Sequence, residues 1–278
     1  MLNGAGTRVL LVGTGSYAPG SGLVSVPAVP STLADLGQVL MERCGVVAER
    51  LRVLRDPESP TQMGLALAEE AEQPSEVLLF YYVSHGVISS GGRLYLSSAA
   101  TDRRPTRLAH TALAYSAVRE AALASKARSI IVVLDCCFSG RAVETLSTGK
   151  IADLAAVHGG YVLAAASQEE MALAPVGQPH TAFTGELIRL LTDGDPQAPL
   201  LITLRHVFDA LERAALARNF PLPQQRASGT ITDLVLCTNP AYQAPHQQPT
   251  PLPEGHTDIQ SERVERHRGF ESLRFRHL

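Results

Sequence analysis

Ser129-Ile130-Ile131-Val132-Val133-Leu134-Asp135-Cys136-Cys137-Phe138-Ser139-Gly140 is the stretch that decides how this chain reads. Five consecutive apolar residues, four of them β-branched, describe a strand buried on both faces, as in a parallel sheet. The run ends in an acid and two thiols. In open α/β sheets the reactive groups gather just beyond the carboxyl ends of the strands. A second buried run, Val77 to Val83, ends in Ser84-His85-Gly86. If the two strands are neighbours, His85 and Cys137 leave the sheet at the same edge.

Around these two strands the pattern alternates. Arg8 to Gly13 reads as a first strand. A helix is expected from a cap at Ser31 or Thr32 to about Cys44, with Asp35 in its first turn and Leu33, Leu36, Val39 and Leu40 on its apolar face. Arg50 to Asp56 reads as a strand and Thr61 to Gln73 as a helix stopped by Pro74. Gly91-Gly92 turns the chain into a short arm, Arg93 to Ser97, followed by a polar loop over 100–107 and an Ala-rich helix from Thr111 to Ser125. Beyond Gly140, residues 141–157 read as a mobile connector. Gly160 to Ser167 is a strand, His180 to Thr192 and Thr203 to Asn219 are helices, and Thr230 to Cys237 is a last strand. Strands alternating with helices imply an α/β fold with a mainly parallel sheet covered on both faces.

The Gly13-Thr14-Gly15-Ser16-Tyr17-Ala18 segment fits G-x-G-x-x-G/A in form. The helix that a dinucleotide site needs at that point is missing, because Pro19-Gly20-Ser21-Gly22 follows, so a loop is the better reading. From Asn239 the chain is rich in Pro and Gln, a composition that cannot bury a core. The expected organisation is one domain over 5–238 and a disordered linker or tail over 239–278. In that tail Phe270, Leu273 and Phe275 form only a weak apolar stripe.

Composition excludes several classes. A net charge of −3 and a pI of about 6.3 give no nucleic-acid footprint. No run reaches the ~20 apolar residues of a membrane helix, and the apolar start, Val9 to Val12, is too short for a signal peptide. Cys44, Cys136, Cys137 and Cys237 have neither disulfide-framework nor zinc spacing. A cytoplasmic, reducing setting is expected, with no nucleic-acid or membrane partner.

Chemically, a thiol needs a base to become a nucleophile, and a nearby His serves, later protonating the leaving amine. A tetrahedral oxyanion needs backbone N–H groups free of side-chain obstruction. Gly86 and Cys137 are the natural donors. Taken singly, His85 reads as a strand-end histidine and the two cysteines as buried fillers. Together at two strand ends, they favour catalysis. Cys136 and Cys137 alternate across the strand, so only one of them meets His85, and the chemistry alone leaves open which. A redox role for the vicinal pair is weaker, since adjacent cysteines bond only with strain.

Tyr82-Val83-Ser84-His85-Gly86 and Asp135-Cys136-Cys137-Phe138-Ser139-Gly140 resemble the His-Gly and Asp-x-Cys-x-Ser-Gly motifs of caspase-like cysteine peptidases. They are most similar to metacaspases and to the bacterial caspase-like proteins that accompany conflict and defence systems. The likeness extends to Ser31-Thr32-Leu33-Ala34-Asp35 and to Ala182-Phe183-Thr184, spanning nearly all of residues 5–238. His85 and Cys137 lie 52 residues apart, close to the caspase spacing of about 50. The resemblance implies a three-layer α/β/α sandwich around a mainly parallel central sheet of about six strands. It implies Cys137 as nucleophile, His85 as base, and Asp35 with Asp135 lining the first specificity pocket. Two carboxylates in one pocket favour Arg or Lys in the substrate. The Gln-Ala-Cys-x-Gly signature of true caspases is absent.

The expectation is thus a cysteine endopeptidase that cleaves protein substrates after basic residues, with a partner effector in a bacterial defence or signalling pathway as its target. Departures from the family pattern are Val83, where a small polar residue is common, and Phe138, where His is frequent. No cofactor is expected. Calcium activation is left open by the resemblance, but Asp102 and Asp153 stand isolated and no metal-binding residue is assigned. Arg141 and Lys150 are self-processing candidates or ordinary surface charges. The competing expectation is a non-catalytic adaptor that uses the same fold to bind a partner.

Overall fold

The computed structural model describes residues 2, 6–137, 160–165, 177–220 and 222–243. The connector over 141–157, with Arg141, Lys150 and Asp153, lies outside the described residues, as do Phe138 and the tail from 244.

Its frame is a sheet in which β1 (Thr7–Gly13) lies between β2 (Leu51–Arg55) and β3 (Ser75–Ile88). β3 is followed by β6 (Ala127–Cys137), β7 (Gly160–Ala164) and β9 (Gln224–Ala227). The first five of these six strands run parallel and β9 runs antiparallel to β7. The sequence reading missed β9. Its residues, Gln224-Gln225-Arg226-Ala227, carry no apolar alternation, and an edge strand half open to solvent needs none.

Both faces are covered, as the unbroken apolar strands require. On one side Val9, Leu11, Leu79, Tyr81, Ile131 and Val133 pack against α1 (Val29–Cys44), α5 (Ala182–Asp193) and α6 (Leu204–Arg218). On the other, Leu10, Val12, Phe80, Tyr82, Val132 and Leu134 meet α2 (Pro60–Ala71) and α4 (Tyr115–Leu123). Odd positions of the central strands go to one layer and even positions to the other, giving an α/β/α sandwich.

Several boundaries differ from expectation. α1 begins at Val29, with Ala28 at its cap and Pro30 in its first turn, rather than at Ser31 or Thr32. A fixed proline φ suits that turn, and the change moves Asp35 to the second turn. The expected polar loop over 100–107 gives way at Pro105 to α3 (Pro105–Thr111). The first residues of the expected Ala-rich helix, β5 (Ala112–Ala114), instead pair with β4 (Leu94–Ser97). That pairing covers what would otherwise be the open side of β4. β10 (Val235–Thr238) leaves the main sheet and pairs with β8 (Leu201–Thr203), after a short 3-10 turn at Ile231–Asp233.

β3 is longer than its apolar run suggests. Its parallel pairing with β6 continues to His85, and its last residues, Gly86 to Ile88, pair antiparallel with β4. His85 therefore lies inside the strand, at the point where β3 changes partners.

Candidate active site

The register of β3 and β6 sets Val83 beside Asp135, Ser84 beside Cys136 and His85 beside Cys137. The base and thiol positions singled out in the sequence are thus direct neighbours on adjacent strands. Gly86 follows His85 as the partner of Leu96 in β4.

His85 is buried, and its Nε2 lies 2.7 Å from the carbonyl oxygen of Val24. A carbonyl only accepts, so Nε2 carries the hydrogen, and in the neutral ring Nδ1 holds the lone pair. The loop that presents Val24 is pinned at both ends. Val26 donates its N–H to Gly15 at 2.8 Å, while the Arg103 backbone N–H donates to Ser21 at 3.0 Å and its guanidinium to Gly22 at 3.1 Å. Tyr17 packs against the imidazole, with ring centroids 5.5 Å apart and planes tilted by 42°. Its hydroxyl meets that of Ser84 and lies 2.7 Å from that of Ser97. The Tyr82 hydroxyl donates to the His85 carbonyl at 2.9 Å and accepts from the Ser97 N–H at 2.8 Å. The histidine is held through its ring and its backbone by groups from β1's loop, β3 and β4.

The loop after β1 is not a phosphate cradle. No helix opens before Val29, and the N–H groups of Gly15 and Ser16 both donate to Asp56 Oδ1, at 2.7 and 3.1 Å.

Cys136 is 1% exposed, in the apolar layer with Tyr82, Tyr115 and Val118. It fits the filler role of a buried cysteine rather than that of a solvent-reachable nucleophile. Cys44, the last residue of α1, and Cys237 in β10, isolated in sequence, hydrogen-bond to each other within the same apolar layer. That bond and burial push the Cys44 thiol well above its ordinary value.

Asp135 is 3% exposed, and its Oδ2 accepts from the hydroxyls of Thr181 and Thr184, each at 2.5 Å. Burial pushes its carboxyl up to about 6, and the two threonine bonds hold it from going higher. Thr181 is also the cap of α5, accepting from the Thr184 N–H. Tyr81 shares the Thr184 hydroxyl at 2.7 Å.

Asp35 is half exposed, and its Oδ2 lies 2.7 Å from His180 Nε2. Consecutive residues, His180 and Thr181, therefore hold the two carboxylates that the sequence assigned to one pocket. His180 also borders a cavity of about 420 Å³ shared with Glu186, Arg189, Arg218 and Phe220. The sequence reading named His180 and Thr184 only at a helix start and Tyr17 only in the loop after β1, and gave no role to Thr181 or Val24. Their signal lies in pairings across the fold rather than in local spacing.

Asp102 is engaged by Arg104 and Arg107, which hold its carboxyl down at about 2. Among the described residues no three His, Cys, Asp or Glu side chains gather as a metal site. No described helix is long and apolar enough to cross a membrane.

The sequence model of the Peptidase C14 family, the caspase domain, matches residues 34–237. No curated protein matches the chain. Among solved structures, protein GSU0716 from Geobacter sulfurreducens superposes with a TM-score of 0.57. It is 16% identical, over 85% of this chain and 98% of that one, a likeness that concerns the fold alone.

Proposed function

The chain belongs to the caspase-domain family, and from that premise we propose that it is a cysteine endopeptidase that cleaves proteins after Arg or Lys, with Cys137 as nucleophile and His85 as base. The observation that carries this reading is the His85–Cys137 register together with the Nε2–Val24 bond, which leaves Nδ1 as the proton acceptor.

In this mechanism the Cys137 thiol gives its proton to His85 Nδ1, and the thiolate attacks the scissile carbonyl carbon. A C–S bond forms, and the carbonyl oxygen takes up negative charge facing the N–H groups of Gly86 and Cys137. The oxyanion then collapses, the C–N bond breaks, and the imidazolium protonates the departing amine. Water attacks the resulting thioester and passes a proton to His85. The C–S bond breaks, releasing the acid and restoring the thiolate–imidazolium pair.

Preference for a basic side chain is assigned to Asp35 and Asp135. A guanidinium or ammonium offsets the repulsion and the burial of the two carboxylates. The likeness of the two motifs to bacterial defence-associated proteins supports a cytoplasmic protein substrate, such as a partner effector in a defence or signalling pathway.

The test is a positional-scanning library of fluorogenic peptides, read for the wild type and for Cys137→Ala, Cys136→Ala and Asp135→Ala, with and without calcium. Cleavage after Arg or Lys that survives only Cys136→Ala upholds the reading. Cleavage after Asp removes the pocket assignment and leaves the peptidase. Full activity in Cys137→Ala overturns the mechanism.

A further inference from the structure

We propose that His180 is a specificity-determining gate: it occupies the Asp35 carboxylate in the empty enzyme and yields it to the basic side chain of the substrate. This rests on the assignment of Asp35 to the substrate pocket.

Three observations converge on it. The first is the occupied carboxylate. His180 Nε2 sits 2.7 Å from Asp35 Oδ2, in the place of a substrate's N–H donor. An imidazole that donates to a carboxylate makes one of the hydrogen bonds a guanidinium would make, and with one nitrogen rather than two. It is therefore a weaker version of the ligand and can be displaced by it.

The second is the difference between the two acids. Asp135 is buried, already accepts two hydroxyl bonds, and is driven by burial towards its neutral form. Asp35 has a side chain 48% exposed. The carboxylate that an incoming cation reaches from solvent is Asp35, and it is the one His180 holds.

The third is room to move. His180 is the residue just before the α5 cap, and its ring borders the cavity of about 420 Å³ lined by Glu186, Arg189 and Phe220. A ring released from Asp35 has space beside it, in a cavity where Glu186 is already held by Arg189 and Arg218. Thr181, the next residue, stays bonded to Asp135, so the release leaves that anchor in place.

The consequence is a threshold. A substrate has to exchange its own contact for the one His180 gives up, so a weakly donating side chain gains little at Asp35. Bidentate guanidinium gains more than ammonium, since it replaces one N–H contact with two.

The experiment compares kcat/KM for matched peptides with Arg and with norleucine at the scissile position, in wild type, His180→Ala, His180→Gln and Asp35→Asn. The Arg-to-norleucine ratio cancels general damage to the fold, which lowers both substrates alike. His180→Ala is expected to raise the ratio about tenfold, through KM for the Arg peptide, by removing the competing charge-assisted bond. His180→Gln, which keeps an N–H donor in a different geometry, falls between. An unchanged or lowered ratio in His180→Ala overturns the gate and makes His180 a structural tie between α1 and α5. If the wild type prefers a non-basic residue and Asp35→Asn changes nothing, the pocket assignment itself has failed, and the gate with it.

Discussion

The Nε2 of His85 is tied to the backbone of Val24 at 2.7 Å, so the imidazole is oriented by a carbonyl rather than by a carboxylate. A carbonyl cannot be protonated or repelled by a change of pH in the working range. The tautomer it selects is therefore constant. In 15N-resolved NMR of ring-labelled protein near pH 8, His85 is expected to show Nε2 as the protonated nitrogen and Nδ1 as the bare one. The reverse assignment removes the geometric basis for Nδ1 as base.

Asp135 is expected to move stability and activity in opposite directions as pH changes. Its carboxyl is raised from 3.8 to about 6 in the folded protein. Between these values the folded state holds the proton that the unfolded chain has released, so stability falls as pH rises through that window. This difference corresponds to about 3 kcal/mol as an upper figure. Urea midpoints at about pH 4 and about pH 7 are expected to show this loss in the wild type and not in Asp135→Asn. Cleavage after Arg is expected to rise over the same window, because only the ionised carboxylate attracts the cation.

Cys136→Ala is expected to keep full peptidase activity and to lose about 1 kcal/mol of stability, the cost of a small vacancy beside Tyr82 and Tyr115. Thermal denaturation and turnover of a basic peptide by the same preparation check both halves. A collapse of activity with stability retained would move the nucleophile to Cys136.

Gly13 closes β1 where α1 and β3 converge. A Cβ there would stand 2.7 Å from Val29 Cγ1 and 2.9 Å from Val83 Cγ1. Gly13→Ala is expected to destabilise by about 1–3 kcal/mol through overpacking, measured by chemical denaturation. Val83 precedes His85 by two residues, so turnover is expected to fall with stability.

The central architecture was legible because its signals are local. The runs Val9 to Val12, Val77 to Val83 and Ile130 to Leu134 are apolar without interruption, and helices of readable period separate them. His85, Gly86, Asp135 and Cys137 could be nominated because motif and strand end coincide, and Asp35 through the family resemblance alone. What escaped depends on distance or on the backbone. The partner of Asp35, His180, is 145 residues away. Val24 acts through its carbonyl, which every residue has. β9 is polar because it is an edge, and α3 begins at Pro105, inside the stretch read as a polar loop, although a proline suits a helix's first turn.

The β3–β6 pairing also has a kinetic meaning. His85 and Cys137 are 52 residues apart and meet only when two parallel strands, which no hairpin can join, find their register. The entropy of closing that loop is paid before any contact across it forms. On the ribosome the histidine is made well before its partner strand exists, and neither α1 nor the β4–β5 ribbon can substitute for β6. Site assembly therefore coincides with the docking of β6 onto β3, and a nascent chain that has not reached β6 lacks the juxtaposition of the two residues.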